Sequence, residues 1–199
     1  RYPLVTGVQT CALPIYTLPG EVPQPDAAYL GSTAFIDSDH PAVREFAERS
    51  VAGESTAIGR AVKLYYAVRD GWRYDPFNIT LRPETYTASK VLQGGPCFCI
   101  PKAILLAAAA RAVGIPTGIG LSDVVNHLTT EKLRERMGGK TLFLHHGYAV
   151  MHLEGRWVKA ATAFNIELCQ RFDVLPTEFD GTSDAVFQQF DARQRRHME

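Results

Sequence analysis

Two side chains in this sequence, Cys99 and His146, are of the types needed for nucleophilic catalysis by a thiol. Cys99 opens an apolar segment that predicts a helix, and His146 follows on a predicted strand. A helix N-terminus favours the thiolate, and its free N–H groups can bind the oxyanion of a tetrahedral intermediate. An imidazole can take the thiol proton and return it to a leaving group. The pair therefore indicates acyl-transfer chemistry, with a structural cysteine and a packed histidine as the alternative.

The helices and strands that would hold these residues can be predicted from apolar spacing, caps and turn residues. Helices are predicted over 41–51, from a cap at Ser55 or Thr56 to residue 69, over 87–92, over 99–113 and over 131–137. Strands are predicted over 115–121, 142–153 and 156–164. Because helices come first and strands follow without internal repeats, the pattern indicates an α+β fold with an antiparallel sheet.

The turn between the last two strands predicts which residues lie beside the histidine. Glu154-Gly155 is typical of a two-residue turn, which fixes the pairing of the strands on either side. This register places His146 opposite Ala163, with Ala161 and Asn165 as diagonal neighbours on the same face. Asn165 is therefore a candidate to orient the imidazole.

Three blocks of the sequence, taken together, resemble the transglutaminase-like superfamily. The cysteine block reads GGPCFCIPKA over 94–103 and continues as RAVGIP over 111–116. The histidine block reads HGYAV over 146–150, followed by LEGRWV over 153–158. The end of the third block is similar to AFN over 163–165. Their order is more specific than any block alone, and the resemblance, which extends over most of the chain, fits bacterial members best.

The resemblance implies a fold in which the nucleophile helix packs on a small antiparallel sheet, as in papain-like enzymes. It also implies that Cys99 is the nucleophile and His146 its base. The family has an aspartate that orients the histidine, and its position here is occupied by Ala161, which cannot accept the imidazole N–H. Asn165 would replace it in a Cys-His-Asn arrangement like that of papain-type proteases.

Two functions from different classes follow from these residues. The first is a thiol enzyme in which Cys99 attacks a glutamine side chain or a peptide carbonyl, with a protein, peptide or small amide as substrate. An acyl-thioester would form and be resolved by an amine or by water, and the sequence does not choose between transfer and hydrolysis. The second is a catalytically degenerate domain, retained for binding or assembly after loss of the aspartate at Ala161.

No cofactor or metal is expected from the sequence. There is no carboxylate cluster with calcium-loop spacing. A site built from Cys97, Cys99, His145 and Cys169 would have a spacing that matches no zinc pattern. The chemistry expected of the chain is therefore that of its own thiol and imidazole.

Composition argues against nucleic acid and membrane partners. Lys+Arg and Asp+Glu number 21 each, so the protein has no general field that would attract a polyanion. The longest apolar run, 103–113, is interrupted by Arg111 and is shorter than a membrane span. Few cysteines, two of them separated by a single residue, make a poor disulfide framework and favour a reducing, cytoplasmic setting.

The first residues are expected not to belong to the protein. Residues 5–15 read VTGVQTCALPI, which matches the translation of a widely used sequencing adapter. We therefore treat 1–16 as a non-native segment and 17–199 as a single domain with a sizeable core. Truncation of that domain at its C-terminus is left open.

Overall fold

A computed structural model describes residues 24–80, 82–127 and 130–186, together with 193, 195, 197 and 198. The prediction of a non-native segment over 1–16 lies outside these residues. The described part contains six α-helices, α1 Pro41–Ser50, α2 Ala57–Gly71, α3 Ala88–Val91, α4 Cys99–Ala112, α5 Glu131–Arg136 and α6 Ile166–Phe172. Short 3₁₀ helices occur at Ala27–Tyr29 and Pro83–Tyr86. None of the helices in these ranges has the length and apolar character needed to cross a bilayer.

Local signals explain where the long helices begin. Pro41 occupies the first turn of α1, where a missing N–H is tolerated, and the His40 side chain accepts from the N–H of Ala42. The hydroxyl of Thr56 caps α2 by accepting from the N–H of Gly59. Helix α4 has apolar residues on every side and is buried along almost its whole length. It is therefore the central helix of the core, as its composition requires.

Three antiparallel strands form the sheet, in the order β1 (Thr117–Val125), β2 (Leu142–Leu153) and β3 (Arg156–Ala160). Both residues of the Glu154-Gly155 turn have positive φ, of 47° and 83°, as a tight two-residue turn requires. Leu153 pairs with Arg156, so the predicted register is confirmed.

The third strand ends earlier than the sequence predicts. Its last residue is Ala160 rather than residue 164, because the chain then turns away to a position where the carbonyl of Ala163 accepts from the buried Lys102 ammonium. At the outer edge of β3, the N–H of Ala185 donates to the carbonyl of Lys159. The segment that contains Ala163 has therefore left the ladder before it comes opposite His146.

Helix α4 joins the helical layer to the sheet. It packs against α1, α2 and α3 and also against β1 and β2. Side chains of β2 that face this core are small or apolar, including Ala149, Met151 and Leu153. The predicted α+β fold, with the nucleophile helix on a small antiparallel sheet, is confirmed. The N-terminus of α4 is thereby placed beside the start of the buried part of β2.

Candidate active site

Cys99 is the first residue of α4, and strand β2 passes directly over it. Gly147 makes this approach possible, since a Cβ at that position would lie 2.9 Å from Cγ1 and 3.0 Å from Cα of Ile100. The backbone N–H groups of Gly147, Ile100 and Cys99 all act to lower the pKa of the Cys99 thiol, which places the N–H of Gly147 near the sulfur. His146, the neighbour of Gly147 on β2, is 5% exposed and Cys99 is 9% exposed. The structure therefore brings the two predicted residues to one buried crossing of strand and helix.

Replacing Gly147 with alanine should disturb this crossing. The added methyl group would meet both the side chain and the backbone of Ile100, so β2 must move away from the helix or the helix must shift. We expect a loss of about 1–3 kcal/mol in the free energy of unfolding, together with slower alkylation of Cys99. Urea unfolding and timed iodoacetamide labelling measure the two effects. Gly71→Ala is the control, because its methyl group would meet no atom within 4 Å; equal behaviour of the two variants would contradict the close-approach argument.

A backbone irregularity immediately before His146 sets its position. His145 has a φ of 59°, in the left-handed region that non-glycine residues rarely occupy. Its N–H donates to Oδ1 of Asp123 at 3.1 Å, and the β1–β2 register shifts between Ser122 and Val124. Asp123 therefore stabilises a β-bulge that directs the chain into the histidine position. Sequence reasoning did not single out Asp123 or the bulge.

The resting protonation states follow from burial. Burial raises the pKa of the Cys99 thiol, while hydrogen bonds from the N–H groups of Gly147, Ile100 and Cys99 act in the opposite direction. Burial lowers the pKa of His146 to about 4. The site at neutral pH therefore holds a thiol and a neutral imidazole. This differs from the expectation that the helix N-terminus would favour a thiolate, because burial outweighs the hydrogen bonds.

Tyr74 is a further residue of the site that the sequence did not single out as functional. Burial raises the pKa of its phenol, and the charge of Cys99 raises it further, which places the two groups near each other. The Tyr74 ring packs edge-on against Phe164, with 4.8 Å between ring centroids. Its backbone N–H donates to Oδ1 of Asn165 at 3.0 Å. Tyr74 thus connects the cysteine to the segment that follows β3.

Asn165, the predicted orienting residue, lies at the N-cap of α6 and is 3% exposed. Its Oδ1 accepts from Tyr74, and its Nδ2 donates to a carboxylate oxygen of Glu167. These contacts hold Asn165 in place beside the Tyr74 backbone, and its role toward His146 stays a prediction. Ala161, at the position of the family aspartate, packs in a small apolar cluster with residues of β2.

Lys102, three residues after Cys99, connects α4 to two other segments of the chain. Its ammonium is fully buried and donates to the carbonyls of Arg69 at 2.6 Å, Trp72 at 2.7 Å and Ala163 at 3.1 Å. Burial lowers the pKa of this group to about 8. The side chain fastens the end of α2 and the segment after β3 to the nucleophile helix, and it is not among the groups that shift the pKa of Cys99.

The cysteines and acidic groups of the described ranges form no metal centre. Cys97, Cys99 and Cys169 form no disulfide with one another. Within 24–80, 82–127 and 130–186 and the four later residues, no group of three or more His, Cys, Asp or Glu is arranged to hold a metal ion. The geometry of the site is therefore described by its thiol, imidazole and backbone donors.

Comparison with known proteins places the chain in a family. The model of the transglutaminase-like superfamily matches residues 44–162, which is more than half of the chain and includes Cys99 and His146. The protein therefore belongs to the transglutaminase-like superfamily. In the comparison with curated proteins no match was found.

Two solved structures are similar to this fold. One, a proposed cysteine protease from Cytophaga hutchinsonii, aligns with a TM-score of 0.51 and 14% identity over 75% of this chain and 44% of that one. The other, a proposed protease from Parabacteroides distasonis ATCC 8503, aligns with a TM-score of 0.41 and 14% identity over 64% of this chain and 25% of that one. The chain thus spans less than half the length of either structure. At this identity the first match supports the fold.

Proposed function

We propose that the protein catalyses thiol-dependent acyl transfer or hydrolysis at an amide, with Cys99 as nucleophile and His146 as base. The observation that carries the proposal is the crossing at Gly147, where the cysteine sulfur, the helix N-terminus and the strand position beside His146 meet. Membership of the transglutaminase-like superfamily supports the same assignment. The substrate would be a glutamine side chain, a peptide bond or another amide.

The protonation states suggest how such a reaction would proceed. His146, neutral at rest, takes the thiol proton as the Cys99 sulfur attacks the amide carbonyl carbon. N–H groups at the start of α4 stabilise the oxyanion of the tetrahedral intermediate. The intermediate collapses as the imidazolium gives its proton to the departing amine, which leaves an acyl-thioester. Water or a second amine then attacks the thioester, His146 takes that proton, and the thiol is restored when the sulfur leaves.

The proposal is tested with glutamine-containing peptides incubated with the protein and a fluorescent primary amine. We expect either incorporation of the amine or release of a hydrolysis product, and a peptide adduct on Cys99 that mass spectrometry locates. Cys99→Ala should abolish product and adduct, whereas Cys97→Ala is the matched thiol control and should retain both. Product formation that survives in Cys99→Ala would overturn the assignment of the nucleophile.

A second candidate function is a catalytically degenerate binding or assembly module. The observation that favours it is Ala161, because the position of the family aspartate lies in an apolar cluster and cannot orient an imidazole. A Cys99 thiol that reacts with iodoacetamide no faster than Cys169, together with no turnover of any amide, would favour this function. A fast, His146-dependent reaction at Cys99 would exclude it.

We also propose that the protein works in a reducing compartment, the cytoplasm. A thiol nucleophile must remain reduced, and Cys97, Cys99 and Cys169 form no disulfide with one another. The three thiols should be recovered reduced when cells are lysed in the presence of an alkylating reagent. Disulfide-linked peptides containing any of them would contradict this location.

A further inference from the structure

A cavity of about 790 Å³ lies against the segment that precedes α4. Tyr74 and Phe164, the pair in edge-on contact, form part of its wall. Tyr74 pairs with Cys97 in an isolated β-bridge, and the N–H of Asp75, also on the wall, donates to the carbonyl of Cys97 at 3.0 Å. The wall of the cavity is therefore attached to the chain two residues before Cys99. The volume falls within the range of small-molecule pockets. A group bound in the cavity would lie beside the segment that leads into the helix of Cys99.

Aromatic rings and cations line the cavity together. Phe77 and Phe172 contribute rings, and Lys132 and Arg171 contribute cations. The Lys132 ammonium lies 5.3 Å from the centroid of Phe77, and the Arg171 guanidinium lies 5.8 Å from that of Phe172. The cations are thus held over ring faces at the cavity wall.

The charge of this lining is unbalanced. Lys132 and Arg171 line the cavity, whereas Asp75 is the acidic residue among its described lining residues. Oδ1 of Asp75 accepts the N–H of Phe77, so this carboxylate also holds the chain that carries the ring. An aromatic surface beside an excess of cations complements an apolar group that ends in an anion.

We propose that this cavity binds a carboxylate-bearing apolar part of the substrate and thereby presents its amide to Cys99. The substrate class is an acyl donor, such as an acidic peptide, in which an apolar group separates the carboxylate from the scissile amide. The part of this inference that concerns presentation of an amide to Cys99 rests on the proposed function. The binding of the carboxylate itself depends only on the cavity.

The test uses binding to the Cys99→Ala protein, so that its outcome does not depend on turnover. The probes are 4-phenylbutyrate and its neutral partner 4-phenylbutanamide, measured by isothermal titration calorimetry. We expect the acid to bind at least about tenfold more tightly than the amide and to weaken as salt is raised. Lys132→Ala combined with Arg171→Ala should remove this difference, and Lys63→Ala, an exposed lysine outside the cavity, should keep it.

Equal affinities for acid and amide, or a preference that persists after both cations are removed, would overturn the inference. Failure of the proposed reaction would instead appear as lack of turnover in a protein that still prefers the acid. Comparing the unfolding transitions of all variants shows independently whether each variant is folded. The proposed binding of a carboxylate and the proposed reaction at Cys99 can therefore be contradicted separately.

Discussion

Removal of the imidazole of His146 should slow alkylation of Cys99 by about 10²–10⁴-fold, the usual contribution of a positioned general base. The structure explains why the dependence should be so large. Burial raises the pKa of the thiol, so little thiolate is present at neutral pH. In the proposed mechanism, the neutral imidazole is the group that takes the proton when the sulfur attacks.

The pH dependence of Cys99 alkylation follows from the direction of the pKa shift of His146. Because burial lowers the pKa of His146 to about 4, the imidazole remains a competent base through the weakly acidic range and loses that capacity as pH falls through about 4. The native protein should therefore outpace His146→Ala between about pH 5 and 8. The two rates should converge both at lower pH and at alkaline pH, where thiolate forms without help.

Mass spectrometry must locate the label, because Cys97 lies two residues from Cys99. His152→Ala is the matched control, since it removes another histidine of β2 that packs against Trp157 rather than beside Gly147. Native-like rates are expected for this control. Identical profiles for the native protein and His146→Ala would remove His146 from the mechanism.

Replacing Lys102 with methionine should lower the free energy of unfolding by about 3 kcal/mol. Methionine retains the apolar stem but cannot donate to the carbonyls of Arg69, Trp72 and Ala163, which lie in a buried region. Removing the ammonium also removes its desolvation cost, which recovers part of the lost stability. The loss of three charge-assisted hydrogen bonds is larger than this gain. Urea unfolding followed by circular dichroism measures the change.

Lys63→Met provides the control for this substitution. The Lys63 ammonium also donates to a carbonyl, that of Ala52, but does so at the surface. A change of less than about 0.5 kcal/mol is expected there. If Lys102→Met lowered the free energy of unfolding no more than Lys63→Met, the carbonyls around Lys102 would be satisfied in another way. Lys102 would then not be what holds α4 to the two other segments.

The parts of the fold that sequence could predict are those encoded by local signals. Helix α4 is recognisable from its continuous apolar residues and the Gly114 that follows, and the β2–β3 register follows from the two residues of one turn. The predicted end of β3 was wrong because the segment after Ala160 is held by Lys102, which is distant in sequence and donates to the carbonyl of Ala163. A contact of this kind leaves no trace in local spacing.

The residues of the site also divide into those that local sequence signals reveal and those placed by contacts with distant parts of the chain. Cys99 and His146 have residue types and neighbours that point to chemistry, and the fold places the strand of His146 across the start of the helix of Cys99. Asp123 stabilises the bulge at His145 from another strand, so nothing near it in sequence marks its role. The burial of Lys102 could not be predicted either, since lysines are rarely buried and its three carbonyl acceptors come from separate segments.

The Lys102 contacts also bear on how the molecule opens. Their acceptors lie 33, 30 and 61 positions away along the chain, on the end of α2 and on the segment after β3. If either segment detached alone, a desolvated ammonium would lose its acceptors, which makes partial opening there costly. The nucleophile helix, the end of α2 and the segment that carries Asn165 therefore form one cooperative unit, and the site is lost as a whole rather than by fraying.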